Sequence, residues 1–312
     1  MVEEYLTQST KAQSIKRKIQ AMQHKSKSVL VFGGTRYFGK RLVGELIEQG
    51  HAVTLATRGK AADPFGDRVK RLVLNRYNKQ SLANALNKQT WDLVYDQICY
   101  APSDAANVCD ILANKVGRYI FTSSMSVYDS GLLRKETDFD PRHYTIRMGQ
   151  RGDFSYAEGK RQAEAVFFQK ADFPLVSVRF PIVLGPDDYT GRLSTPIRAI
   201  KNGQLLPVNN PQAAISLISS EEAGHFLAWL SSQNLSGVFN AASRGDVTVA
   251  AIIRLIENES SKKALISPRK VADPFSLIAL KNSLTLDTIK AQQAGFEFKA
   301  VEQWLKPLIK DL

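Results

Sequence analysis

Cysteine is almost missing from this sequence: Cys99 and Cys109 are the only two among 312 residues. Two cysteines in separate segments build neither a disulfide framework nor a thiolate metal cluster, and they fit a reducing, cytoplasmic setting. No apolar run approaches the roughly 18–20 residues that a membrane span needs. The start of the chain, MVEEYLTQSTKAQSIKRKIQ, lacks the apolar stretch of a secretory signal. His24, His51, His143 and His225 stand at no metal-ligand spacing, so no metal is expected. Internal repeats and low-complexity tracts are absent too. Composition excludes a disordered chain, a collagen and a coiled coil.

An ordinary globular balance is present instead, with 44% hydrophobic and 23% charged residues. Such a length buries a large core, as one large domain or two small ones. The charge is one-sided: 42 Lys+Arg against 30 Asp+Glu, formally +12. A basic surface attracts anions, whether nucleotide phosphates, nucleic acid or acidic lipid. Part of the excess is local, because residues 1–27 hold six Lys/Arg against two Glu. The rest is spread thinly, as on a solvated surface, so only weak, non-specific nucleic-acid binding is expected, and no membrane partner.

Residues 1–27 read as a basic extension. Ile15, Ile19 and Met22 allow a weakly amphipathic helix there, although a mobile tail fits as well. From Ser28 the pattern changes. Ser28–Phe32 is wholly apolar, as in a strand buried on both faces. A glycine turn follows, then Leu42, Val43, Leu46 and Ile47 mark a helix ending at Gly50. Further strands are expected at Ala52–Thr57, Arg71–Leu74, Asp92–Ile98 and Arg118–Thr122, with helices at Ser81–Leu86 and Ala105–Ala113. This βαβ alternation predicts an α/β fold with a doubly wound parallel sheet. After a charged loop, Asp129–Arg151, come a helix from about Asp153 to Ala171 and a strand at Leu175–Phe180. Beyond Gly185-Pro186 the alternation weakens. Helices are expected near 194–202, 220–231, 248–258, 287–294 and 301–310, and a strand near 237–241.

Three constellations carry chemistry. The first is Gly33-Gly34-Thr35-Arg36-Tyr37-Phe38-Gly39, between the first strand and an apolar helix. Gly33 suits the tight turn and Gly39 the close helix–strand approach. The helix N-terminus then offers N–H groups and a positive dipole end to a pyrophosphate. Arg36 stands where a middle glycine is usual. The second is the end of the second strand, Thr57-Arg58-Gly59. An NAD site expects an acid there for the ribose. Arg58 instead can pair with a 2′-phosphate, and Arg36 can add a second cation, which favours NADP over NAD. The third is Tyr156-Ala-Glu-Gly-Lys160, an i, i+4 pair on one helix face. A lysine one turn away is expected to lower the phenol's pKa and make Tyr156 a usable acid/base. Ser123-Ser124 follows directly on the fifth strand, at the sheet edge where ligands bind.

In VFGGTRYFG, FTSSMSVY, SYAEGKRQAEA, VRFPIVLGPDD and LDTIKAQQAGF, taken in that order, the chain resembles the extended short-chain dehydrogenase/reductases, also called the NAD-dependent epimerase/dehydratase family. The resemblance runs over about residues 28–310. It implies a Rossmann domain over 28–180 and a smaller C-terminal substrate lobe, mainly 181–312 and partly interleaved with it. It implies that Ser124 bonds the reacting oxygen, that Tyr156 is the acid/base and that Lys160 also holds the nicotinamide ribose. A small-molecule substrate follows, with a carbonyl or alcohol on a small or sugar-like body, and a homodimer is compatible with it. The GGTR turn looks most like an atypical branch that includes bacterial epimerase-like proteins and chloroplast stem-loop RNA-binding proteins. Asp96, Gln97, Ile98 and Cys99 stand where many members have a His-x-Ala-like strand end, and Ile182 where sugar-nucleotide epimerases commonly carry an asparagine. The alternative reading is an RNA-binding or regulatory protein that keeps the fold and the cofactor site. Asp187-Asp188 is expected to cap or to contact polar substrate, Phe32 and Cys99 to belong to the core, and Tyr128 to line the cleft or pack.

Overall fold

A computed structural model of the chain describes residues 26–267 and 276–312. The expected basic extension, apart from Ser26 and Lys27, lies outside the described residues. The described chain opens with β1 (Ser28–Phe32), α1 (Tyr37–Glu48), β2 (Ala52–Thr57) and β3 (Lys70–Val73). Next come α2 (Lys79–Leu86), β4 (Trp91–Asp96), α3 (Pro102–Leu112), β5 (Val116–Ser124) and β6 (Gly131–Arg134). Helix α4 (Tyr156–Lys170) precedes β7 (Leu175–Phe180), β8 (Ile182–Leu184), α5 (Ser194–Lys201), β9 (Leu205–Pro207) and β10 (Ala214–Ser219). Then follow α6 (Ser220–Trp229), β11 (Gly237–Asn240), β12 (Asp246–Thr248), α7 (Val249–Ser260) and β13 (Leu265–Ser267). β14 (Leu284–Leu286), α8 (Ile289–Gln293) and α9 (Glu302–Asp311) close it.

Seven strands form one sheet in the order β11-β7-β5-β4-β1-β2-β3, every pair parallel. β1 shows why such strands must be apolar throughout. Val29 and Val31 pack in one core with Leu42, Val43 and Leu46 of α1. Leu30 and Phe32 pack in another, with Leu82, Val108 and Phe167 from α2, α3 and α4. Helices on both faces make this a doubly wound α/β fold of the Rossmann type. A second sheet runs β12-β10-β14-β6, with β8 paired to β10. Its core gathers Ile215, Leu217, Ile252, Ile256, Leu305 and Ile309. Most of these short strands fall where no strand is expected from sequence, β6 inside the supposed charged loop. Three- to six-residue strands with distant partners leave little periodicity to read.

A buried cation ties the two sheets together. Arg179, near the carboxyl end of β7, is fully buried. It donates to both carboxylate oxygens of Glu164 on α4 at 3.1 and 2.6 Å. It also donates to the Tyr128 hydroxyl at 2.7 Å and to the carbonyls of Glu136 and Phe139 at 2.9 Å each. The Tyr128 hydroxyl donates in turn to Asn240 of β11 at 2.7 Å. The Asn240 amide reaches the carbonyls of Arg134 and Asp287, at β6 and just past β14. Tyr128 is therefore a buried network residue rather than cleft lining.

Removing one partner of a buried ion pair strands the other charge, at a cost of about 3–5 kcal/mol. Arg179→Ala should lower the unfolding free energy by about that amount in a urea titration. Arg179→Met with Glu164→Met should lose less than Arg179→Ala alone, because no charge is then left uncompensated. Equal losses would show that packing, not charge, dominates.

Candidate active site

The glycine turn joins β1 to α1 at the carboxyl edge of the large sheet. Gly33 has φ +86°, a left-handed conformation that glycine adopts at little cost. Gly39 is required by contact: a Cβ there would meet the Gly33 carbonyl oxygen at 2.2 Å and Gln97 Oε1 at 2.6 Å. Arg36 caps α1 in an extended conformation, φ −138°, so this backbone does not demand a glycine at 36. The unusual dihedral falls instead on Tyr37, with φ +54°. No side chain caps α1, and no acid lies in its first turn. Its N-terminal N–H groups thus face the turn without a side-chain acceptor.

Arg36 and Arg58 are both exposed, and Thr35, Phe38 and Thr57 are half-buried. Thr57 Oγ1 accepts from the Gly59 N–H at 3.1 Å, which shapes the end of β2. No carboxylate stands in the Ala56–Gly59 stretch. Gln97, buried beyond β4, leaves its Nε2 without a partner; Thr122 Oγ1 and Ser123 Oγ at the end of β5 are likewise buried and unpartnered. A tight turn, a helix N-terminus open to an anion and unsatisfied polar groups along the strand ends fit a dinucleotide.

Ser124, Tyr156 and Lys160 meet in one cleft of about 670 Å³ at this edge. Ser155 caps α4 by accepting from the Glu158 N–H, which places Tyr156 in the first turn. Gly159 lets α4 press on the chain after β4, since a Cβ there would lie 2.4 Å from the Tyr100 carbonyl oxygen. Tyr156 is 40% exposed and Lys160 only 1%. Ser124 Oγ accepts from Ser126 N–H at 3.2 Å and Ser126 Oγ at 2.9 Å. With those lone pairs occupied, its own proton serves the hydrogen bond that Ser124 makes with Tyr156.

Lys160 does not act as expected from its spacing. Its ammonium donates to the carbonyls of Cys99 at 2.8 Å and Thr122 at 2.7 Å, and lies over the rings of Tyr100 and Phe121. Burial pulls its pKa down to about 8, against the partial support of Cys99 and Asp96. Although the residue as a whole is 40% exposed, loss of water around its hydroxyl pushes the Tyr156 phenol up rather than down. The opposing pull comes from the Ser124 hydrogen bond and from the charges of Arg192 and Arg151.

Gln97, singled out in the sequence at the end of the fourth strand, lines it, and so do residues the sequence did not mark: Tyr100, Arg151, Tyr189, Arg192 and Lys281. Their separation along the chain left no motif to find. Asp188 accepts from the Thr190 backbone and hydroxyl as a local cap, whereas Asp187 neither caps nor faces the cleft but pairs with Lys40 and Arg41 of α1. Phe32 and Cys99 are core, and burial raises the Cys99 thiol pKa. Among the described residues no cluster of His, Cys, Asp or Glu could hold a metal ion. No helix among them is long and apolar enough to cross a membrane.

The sequence profile of the family described as "NAD dependent epimerase/dehydratase family" matches residues 29–242. A relative, the "Chloroplast stem-loop binding protein of 41 kDa b" of Arabidopsis thaliana, is 28% identical over 242 residues, 71% of this chain and 60% of its own length. The chain thus spans less than two thirds of that relative. Among solved structures, a UDP-glucose 4-epimerase of Thermus thermophilus in complex with NAD is similar, with TM-score 0.68 and 18% identity over 91% of this chain and 97% of its own. A UDP-glucose 4-epimerase of Thermotoga maritima with UDP-glucose gives 0.71 and 16%, over 90% and 97%. At these identities the structures establish the fold.

The depressed Lys160 pKa has a sign that can be tested. Its folded value, about 8, lies below the ordinary 10.5, so between those values the unfolded chain holds more protons. Stability from this group therefore rises with pH across that window, and the protonated ammonium costs stability below it. Lys160→Met removes the titration. The stability difference between wild type and variant should shift toward the wild type from pH 7 to 9.5 in urea titrations, and a pH-independent difference would refute the assignment.

Proposed function

The chain belongs to the NAD dependent epimerase/dehydratase family, and from that premise we propose that it is an NADP-preferring oxidoreductase or epimerase of the GGTR-type branch. Its substrate is a carbonyl or alcohol on a small or sugar-like body. The carrying observation is the meeting of Ser124, Tyr156 and Lys160 with Tyr37 and Phe38 of the glycine turn in one cleft. In this reading residues 28–180, joined by β11, hold the cofactor. Residues 181–312 mainly form the substrate lobe, interleaved through β6, and the protein works in the cytoplasm.

Gly33, Thr35, Tyr37, Phe38 and Gly39 cradle the pyrophosphate at the N-terminus of α1. Arg58, with Arg36 beside the turn, pairs the 2′-phosphate. The nicotinamide, when bound, supplies the hydride chemistry. Tyr156 Oη gives a proton to a carbonyl oxygen or takes one from an alcohol. Ser124 Oγ turns its one proton from Tyr156 to that oxygen, orienting it and stabilising developing charge. Lys160 Nζ spends two of its three N–H donors on carbonyls; the third is left for a ribose hydroxyl. The Ser124 hydrogen bond and the positive charges of Arg192 and Arg151 counter the desolvation of the phenol. Net reduction and internal-redox epimerisation share this machinery.

A second reading, RNA binding, draws on the stem-loop-binding relative and the net charge of +12. Affinity of purely electrostatic origin collapses between roughly 50 and 200 mM salt. Sequence-selective binding that survives this range would favour the second reading.

Tyr156→Phe should cut turnover by about 10²–10⁴-fold with NADPH binding nearly unchanged. Slow NADPH oxidation by an activated quinone or aldehyde serves as the assay. Full activity of the variant would refute the mechanism even with the fold intact.

The cofactor preference is tested separately by fluorescence titration. NADPH should bind at least about tenfold more tightly than NADH, a difference of about 1.4 kcal/mol. Arg58→Asp should weaken NADPH more than NADH. Equal affinities in the wild type would remove the case for NADP.

A further inference from the structure

We propose that the cleft takes a small hydroxy or oxo carboxylic acid, whose carboxylate lies between Arg192 and Arg151 beside Tyr156 and whose hydrocarbon body lies against the wall formed by β8, β10 and β14. This inference rests on the reading of the Ser124–Tyr156–Lys160 cleft as a substrate site.

The charge of the lining is one-sided. Beyond Lys160 it includes Arg151, Arg192 and Lys281, and no Asp or Glu. None of these three cations has an ion-pair partner among the described residues, although carboxylates stand nearby. Asp187 is taken by Lys40 and Arg41, and one oxygen of Asp188 by Thr190. Cations left unpaired in a concave, partly desolvated site favour an anion there.

The position of the anion follows from the two arginines. Arg151 is held over the Tyr100 ring at 4.4 Å, and that ring lies 6.2 Å from the Tyr156 ring. Arg192 Nε is buried with no acceptor. Both guanidinium groups are near enough to act electrostatically on the Tyr156 phenol. An anion between them is therefore close to the oxygen that Tyr156 serves, which places a carboxylate near the reacting carbon rather than a distant one. Part of the lining, with Phe180, Pro181, Ile182, Ile215 and Leu284, is hydrocarbon, although Ser130, Thr190 and Asn282 also line the cleft. Ile182 contributes hydrocarbon where sugar-nucleotide epimerases commonly present an amide.

The test is a calorimetric titration of the NADPH-loaded protein, in which hydroxy acids bind without reacting. Lactate, 3-hydroxybutyrate and mandelate are compared with their amides. At least one acid should bind about tenfold or more tightly than its amide. Arg192→Gln and Arg151→Gln should each remove most of that difference, and Arg192→Lys should keep part of it. Circular dichroism melts check that the variants fold. Tyr156→Phe should leave acid binding in place, so failure of the catalytic reading and failure of this one are separable. Acids binding no better than amides, or acid affinity unchanged in Arg192→Gln, would overturn the proposal. So would UDP-glucose binding tighter than every acid, or an Arg192→Gln variant that loses NADPH affinity while keeping the acid, since Arg192 would then belong to the cofactor.

Discussion

The protein keeps a full positive charge in its interior, and the cleft is arranged around that fact. A buried guanidinium costs several kcal/mol unless its donors are matched. Arg179 is matched by the Glu164 carboxylate, the Tyr128 hydroxyl and two backbone carbonyls. Each partner belongs to a different part of the site. Glu164 lies one turn beyond Lys160 on α4. Tyr128 ends the serine segment that begins at Ser123. The two carbonyls come from the connection that follows β6. The charge can be satisfied only if these segments hold a fixed relation, so its desolvation penalty acts as a geometric constraint on Ser124, Tyr156 and Lys160.

A second constraint is steric. α1 and β4 approach so closely at Gly39 that no side chain fits between the turn carbonyl and Gln97. The same closeness brings Gln97, Thr122 and Ser123 to the strand ends with polar atoms unpartnered. Buried polar groups are normally satisfied, and their concentration along one sheet edge marks a surface built to meet a polar ligand. The strained dihedral on Tyr37 belongs to the same edge. A non-glycine residue with positive φ costs on the order of 1 kcal/mol or more, offset here by burial of the ring against Phe38 and Tyr189.

Electrostatics gives the cleft its character. Lys160 is anchored by carbonyls rather than by the phenol it was expected to activate, so tuning of Tyr156 passes to Ser124 and to arginines from two other segments. From sequence alone the net charge of +12 reads mainly as a thinly spread surface property, apart from the local excess in residues 1–27. Arg151, Arg192 and Lys281, without ion-pair partners among the described residues, line one cleft, so part of that charge is concentrated there, and low-dielectric walls strengthen the field.

The βαβ alternation, the glycine turn, Arg58 at the strand end and the Tyr156–Lys160 spacing are local features, and the chain alone was enough to read them. Apolar runs such as Val29–Phe32 announce burial on both faces because each of these residues of a central parallel strand meets a helix layer. The limits of α4 and of the third to fifth strands shifted by a few residues, since ends are set by caps such as Ser155 and not by periodicity. The second sheet was illegible: Gly131–Arg134, Ala214–Ser219 and Leu284–Leu286 become strands only through pairing with distant segments, Gly131 with Leu284 across 153 residues. So were Arg151, Arg192 and Lys281, which no spacing connects. The direction of the Tyr156 shift also needed the structure, because it is a balance between desolvation and charges brought together only when the chain folds.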